Sequence, residues 1–360
     1  MRVLMTIDAV GGVWRYGLDL ARELGAADIA CLLAGCGPEP DAAQRQECRS
    51  LRNVTLEWTG LPLDWMVAEA AALHEVAGML AMMARNWGAH LAHLNLPSQA
   101  VGFPAGVPVA VTSHSCLATW WHAVKGGDPP PDWRWHQAMT AQGMRRADAI
   151  MVPTASHADA VVAAYGRLDH LRVVANATTS FESNRAKEPF VFAAGRWWDV
   201  GKNVATADAV AALSHWPVRL AGALTDPNGS QISPHHALAL GPLTPSATQA
   251  EMSRAAIFFS PALYEPFGLA VLEAAACGCA LVLSDIPSFR ELWTNAALFV
   301  APHDSNGFAA AINRLAEAPS ERRALGQRAA MRAREFTLAR QAEQVQQVYA
   351  AALRAKALAG

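Results

Sequence analysis

Short apolar runs recur along this 360-residue chain, each closed by turn residues and followed by a longer stretch of helical spacing. Runs at 2–7, 29–33, 54–58, 91–94, 107–112, 149–152 and 172–174 predict strands. Between them, apolar positions returning every three or four residues predict helices over 13–24, 67–85, 132–146 and 155–165. Such alternation builds a parallel sheet covered on both faces. A polar stretch at 178–189, TTSFESNRAKEP, breaks the pattern. A second series of strands then follows at 190–194, 218–221, 256–260, 280–283 and 297–300. Helical patterns at 305–317, 320–335 and 338–356 close the chain without a strand between them. The pattern predicts an α/β protein of two Rossmann-like domains, 1–180 and 181–337. The last helix, about 338–360, is expected to pack back on the first domain, and a central cleft is the expected ligand site.

Composition narrows the function. The net charge of −2 and pI near 6.6 exclude a general nucleic-acid binder. The opening MRVLMTIDAVGGV runs directly into a strand and a glycine turn, without the pattern of a signal peptide. No uninterrupted apolar run has membrane-spanning length. The six cysteines include no CxxC pair and no metal-type spacing with histidine, which fits a reducing compartment. A cytoplasmic protein is expected. Basic positions are nearly all arginine, and the four lysines are Lys125, Lys187, Lys202 and Lys356.

Three segments carry candidate chemistry at strand-to-helix turns, where helix amides attract anions. The first, Asp8 to Val13, holds Gly11 and Gly12, which let backbone approach a ligand. It is not a GxGxxG fingerprint, and the acidic residue that fingerprint needs is missing. The second, Gly195-Arg196-Trp197-Trp198-Asp199-Val200-Gly201-Lys202-Asn203, offers an arginine fork and a lysine point charge to one diphosphate. A solvated basic loop is the plainer alternative. The third is YEPFGLAVLEAAACGCALVLSDIP, residues 264–287. There Glu265 precedes a helix predicted over 268–277, and Glu273 lies about 7 Å along it at about 1.5 Å per residue. Taken singly, Glu265 reads as a helix cap and Glu273 as a carboxylate near the helix's positive end. Taken together, two carboxylates flanking helix amides suit a ligand with hydroxyls at both ends and phosphates in the middle.

That third segment resembles the EPFG and E-x7-E signature of family 4 retaining glycosyltransferases, whose GT-B fold pairs two Rossmann-like domains. The resemblance extends to Gly11-Gly12, to Ser113-His114-Ser115 after a first-domain strand, and to Gly195-Arg196 with Lys202-Asn203. It implies that Arg196 and Lys202 hold the donor diphosphate, Glu265 the transferred sugar and Glu273 the ribose. The amides of Phe267, Gly268 and Leu269 would line sugar and phosphate, with Gly11 and Gly12 approaching the diphosphate. His114 would sit beside the donor sugar, whereas on spacing alone a strand-end histidine is more often structural. The second domain then takes the nucleotide-sugar donor, and the first the hydroxyl acceptor. Relatives carry an Asn-Gly-hydrophobic-Asp turn near the linker; this chain has Asn176-Ala177-Thr178-Thr179, so that turn is expected to differ.

After His114, Trp120, Trp121, Trp133 and Trp135 flank a glycine–proline turn. Aromatic faces suit sugar rings, and Trp120 and Trp121 are candidate acceptor contacts, with ordinary packing the alternative. His90 and His93 show no partner pattern and are assigned to structure. No Asp-x-Asp pair occurs, so no metal or other cofactor is expected. The expectation is a retaining, metal-independent glycosyltransferase using a UDP- or GDP-type donor. The resemblance allows peripheral contact at the inner membrane face. A 2-epimerase or a phosphorylase of the same fold, or a non-catalytic nucleotide-sugar binder, are the alternatives.

Overall fold

Strands β1 (Arg2–Asp8), β2 (Ala30–Cys36), β3 (Val54–Trp58), β4 (Leu91–Leu94), β5 (Val109–Thr112), β6 (Ala149–Val152) and β7 (Leu171–Val173) form one parallel sheet. The computed structural model describes residues 1–179, 185–226 and 229–359. Among these the first sheet runs β3-β2-β1-β4-β5-β6-β7. The interior strand β1 is buried on both faces, with Val3, Leu4 and Met5 at 0% exposure, which explains a continuous apolar run rather than an alternating one. The strand order reverses between β1 and β4. The C-terminal ends of these strands therefore frame a topological switch point, the usual ligand position in such sheets.

The second sheet comprises β8 (Glu188–Ala194), β9 (Val218–Ala221), β10 (Leu238–Gly241), β11 (Ala255–Ser260), β12 (Ala280–Ser284) and β13 (Ala297–Val300). Their order is β10-β9-β8-β11-β12-β13. The chain packs as two compact units, Met1–Ala177 with Leu338–Gly360, and Thr178–Thr337. The polar stretch expected to separate domains is described only in part, since residues 180–184 lie outside the described residues.

The helix Leu338–Ala359 belongs to the first unit for a packing reason. Val345, Tyr349 and Ala352 are fully buried in a cluster with Val3, Met5 and Leu18. Each large side chain so buried stabilises the unit by about 1.5–3 kcal/mol. Among the described residues, no helix is long and apolar enough to cross a membrane.

The helices Ala42–Arg49 and Leu117–Lys125 add to the predicted set, and two further departures are set by tertiary bonds. The helix expected over 67–85 is regular only from Val76 to Trp87, after 3-10 turns at Asp64–Met66 and Ala70–Leu73. Buried Asp64 accepts a hydrogen bond from Ser98 Oγ at 2.5 Å and lies 3.4 Å from His136 Nε2, so tertiary bonds hold the start of this segment. Strand β10 is absent from the sequence pattern. It is an edge strand with Leu238 54% exposed. Its approach is fixed by Asp208, whose carboxylate accepts the amides of His235, His236 and Ala237 at 2.8–3.0 Å.

Candidate active site

In the second unit, β8 ends at Ala194 and the chain turns through Gly195 and Arg196 to a short 3-10 turn, Val200–Lys202. Asp199 accepts the Gly201 amide at 2.8 Å, tightening that turn. Asn203 then adopts the left-handed conformation, φ 58° and ψ 52°, before the helix Val204–Leu213. Its side-chain amide donates to the carbonyls of Pro261 and Pro302, at 2.9 and 2.8 Å. Leu263 N donates to Gly201 O at 2.8 Å. The turn after β8 is thus fastened to the loop after β11, which brings two distant charges together.

Those charges are Lys202 and Glu265. Nζ lies 2.5 Å from Oε2, and each side chain is 20% exposed. The stem of Lys202 lies over Gly195, where a Cβ would stand 3.5 Å from its methylene carbons. On the other side, Ser288 Oγ donates to the Glu265 carbonyl. A crevice lined by Lys202, Glu265, Ser260, Gly268 and Val271 opens here.

Gly268 has φ +88°, and a Cβ there would meet Phe289 at 3.1 Å and Glu265 at 3.2 Å, so no larger residue fits without displacement. The helix Leu269–Ala276 starts from it with no side-chain cap. Glu265 is therefore not a helix cap: its carboxylate faces Lys202. Glu273 is the fifth residue of this helix and is half-buried. The Phe267 ring is buried against Phe336, centroids 5.7 Å apart, so that residue has its backbone to offer a ligand. Arg196 shares the Lys202 loop but points elsewhere. Its guanidinium lies 4.0 Å from Asp199 and 5.4 Å from the Trp198 ring centroid, and the side chain is 43% exposed.

In the first unit, Asp8 closes β1 and accepts the Val10 amide at 3.0 Å. Gly11, in extended conformation, caps the helix Gly12–Gly25, and Gly12 is exposed. Tyr16, on that helix, meets the His114 ring edge-on, with centroids 4.4 Å apart. His114 follows β5 and is half-buried. Its Nε2 lies 2.9 Å from Asn95 Oδ1, beyond the end of β4. Below it, His93 is wholly buried between Thr112 Oγ1 at 2.6 Å and the Tyr349 hydroxyl at 2.7 Å. Burial pushes the pKa of His93 and of His114 down to about 3, and each is lowered further by a neighbouring imidazole. Burial likewise lowers His157 to about 4. These rings are neutral at pH 7.

The tryptophans form two pairs. Trp120 and Trp121, half-buried on the helix Leu117–Lys125, have centroids 6.0 Å apart. Trp133 and Trp135 stack at 6.4 Å. His90 accepts the Arg2 amide at 3.0 Å, consistent with a structural role. Among the described residues, no three His, Cys, Asp or Glu side chains gather in the manner of a metal site.

The chain and its fold have counterparts among known proteins. The model for Glycosyltransferase Family 4 matches residues 10–179, and that for Glycosyl transferases group 1 matches residues 233–332. This chain belongs to the family 4 glycosyltransferases. Its fold is GT-B. Sucrose-phosphate synthase from Thermosynechococcus elongatus superposes at TM-score 0.76 and 19% identity, over 97% of this chain and 98% of that one. HepE of Anabaena, in complex with UDP-glucose, superposes at 0.72 and 17% identity, over 97% and 99%. The O-antigen chain mannosyltransferase RfbU of Salmonella typhimurium is 37% identical over 67 residues, 19% of this chain and 19% of that protein. The chain thus matches about a fifth of the length of this curated relative.

For this family 4 member, the structure brings Lys202, Glu265 and Gly268 into one crevice, with Leu269 opening the helix beside it. Arg196 lies on the loop that carries Lys202, and Glu273 on the helix that Leu269 opens. Asn203 entered the sequence reading as the end of a motif without a role of its own, and Ser288, Tyr16 and Asn95 escaped it. Asn95 gave one signal: like His114, it is a polar residue just past a buried parallel strand.

Proposed function

We propose that the chain is a retaining, metal-independent glycosyltransferase that moves a sugar from a nucleoside-diphosphate sugar to a hydroxyl acceptor. The observation that carries this reading is the Lys202–Glu265 contact beside the uncapped, glycine-started helix Leu269–Ala276. A cation, a row of helix amides and a carboxylate within one crevice match phosphate oxygens next to sugar hydroxyls. UDP-glucose held by the structurally similar HepE supports a uridine donor.

In this mechanism Lys202 and Arg196 take up the charge that grows on the departing diphosphate. Their effect on rate is the extent to which they bind it more strongly in the transition state than in the ground state. Glu265 orients the transferred sugar through its hydroxyls, while the amides of Phe267, Gly268 and Leu269 hold sugar and phosphate. Glu273 binds the ribose, and Gly11 and Gly12 leave room for the diphosphate. The acceptor hydroxyl attacks the face the diphosphate leaves, passing its proton to a phosphate oxygen, and no side chain forms a covalent intermediate.

A thermal-shift screen of nucleotide sugars, followed by nucleotide-release assays on the hits, identifies the donor. NMR of the product anomer then tests the stereochemistry: the donor's configuration is expected in the product, and an inverted linkage overturns the mechanism.

A further inference from the structure

Hydrogen bonding in the first unit fixes more about His114 than its position. Asn95 is 3% exposed and uses its backbone and both ends of its side chain. Its backbone N–H donates to Thr6 Oγ1 at 2.8 Å, and Thr6 Oγ1 in turn donates to Gln99 Oε1 at 2.7 Å. Its Nδ2 donates to the Thr6 carbonyl at 2.6 Å. A backbone carbonyl only accepts, so the side-chain atom facing it is the NH2 group. The atom left facing His114 Nε2 is therefore the amide oxygen, which also only accepts. The hydrogen between them belongs to Nε2. A neutral imidazole carries one ring hydrogen, so Nδ1 holds a bare lone pair.

We infer that Asn95 is a positioning residue: it locks His114 as the Nε2–H tautomer and so presents Nδ1 as a hydrogen-bond acceptor to a substrate hydroxyl. The substrate part rests on the function proposed above; the tautomer does not. Burial keeps the ring neutral, and the neighbouring imidazole of His157 lowers its basicity further; the rings of His93 and Tyr16 also lie beside it. An acceptor lone pair repels phosphate oxygens and attracts hydroxyl groups. His114 then selects a hydroxylated partner and does not add positive charge for the leaving group, which falls to Lys202 and Arg196.

The test uses the full chain labelled with 15N in histidine, the His114 signals being assigned by their loss in His114→Gln. From about pH 5 to 8, wild-type His114 should show protonated Nε2, unprotonated Nδ1 and no titration. An Nδ1–H tautomer, or titration in that range, overturns the inference. Asn95→Ala should mix the two tautomers and lower kcat about tenfold, the scale of one lost hydrogen bond, with donor KM little changed. A folded variant that keeps the pure Nε2–H tautomer also overturns it. If that variant does not fold, the wild-type spectrum still decides. A donor that is turned over should shift the Nδ1 resonance where UDP alone does not; an unmoved Nδ1 overturns the substrate contact. Absence of turnover with every nucleotide sugar would refute the proposed function while leaving the tautomer standing.

Discussion

The two units solve the placement of polar side chains in opposite ways. In the first, the ends of β4 and β5 carry neutral groups in two chains of hydrogen bonds. His93, Thr112 and Tyr349 lie below, with Asn95, Thr6 and Gln99 beside His114. In the second, the proposed chemistry sits on loops and uses full charges, with Lys202 against Glu265 in a partly open crevice. Burial explains the difference. A wholly buried imidazole is tolerated when neutral and bonded, whereas an ion pair keeps its charges more readily where water still reaches it. The neutral network holds geometry; the partly buried pair is available to exchange partners when a charged ligand arrives.

The most severe way to break this contrast is to remove the charges. Lys202→Ala and Glu265→Gln should each lower kcat by about 100- to 1,000-fold, the scale of losing one preorganised transition-state contact. Glu265→Gln should still bind the free nucleotide, measurable by calorimetry. If both variants instead lose melting temperature with kcat unchanged, the pair is structural.

Acid should strike the other unit. His93 and His157 titrate near 3 and 4 in the folded chain, below the ordinary value of about 6.5. Their folded pKa is depressed, so between those values the unfolded chain binds more protons and stability falls as pH drops. At pH 5 each buried ring should cost about 2 kcal/mol relative to neutral pH. Hydrogen exchange should show the first unit opening earlier than the second, and His93→Phe should flatten part of that pH dependence. Equal acid sensitivity in both units would remove the distinction.

A subtler probe is backbone shape. Gly268→Ala places a Cβ at φ +88° and 3.1 Å from Phe289. It should cost about 1–2 kcal/mol of stability and weaken donor binding, read from melting curves with and without nucleotide. The smallest effect is expected at the paired tryptophans. Trp120→Ala with Trp121→Ala should raise acceptor KM several-fold while donor affinity holds, on the scale of one or two aromatic contacts. Unchanged acceptor kinetics would return that pair to ordinary packing.

Much of this was legible in the sequence because fully buried parallel strands leave unbroken apolar runs. The strands at 91–94 and 149–152, buried at every position, have those same limits in the structure, and so do the less buried 54–58 and 218–221. Less legible were elements set by tertiary bonds. Strand β10 depends on Asp208, and the irregular start of the 67–85 segment on Asp64, neither of which alters local periodicity. The site divides similarly. Residue types at Lys202 and Glu265 were visible as motifs, but their contact spans 63 positions. Polar His93, inside an apolar run, looked merely structural, and nothing local announced Tyr349, 256 residues away.

That last bond bears on how the protein is made. The first unit begins at Met1 yet lacks its helix Leu338–Ala359 until the whole second unit has been synthesised. At ribosomal speeds of about 5–20 residues per second, the delay is on the order of ten seconds. Throughout it, the apolar side chains that Val345, Tyr349 and Ala352 will cover lack their lid, and the ring nitrogen of His93 lacks its phenol. The unit that starts first finishes last. A product cut short anywhere in the second unit leaves the ribosome with its own beginning unsealed, a target for chaperones and proteases.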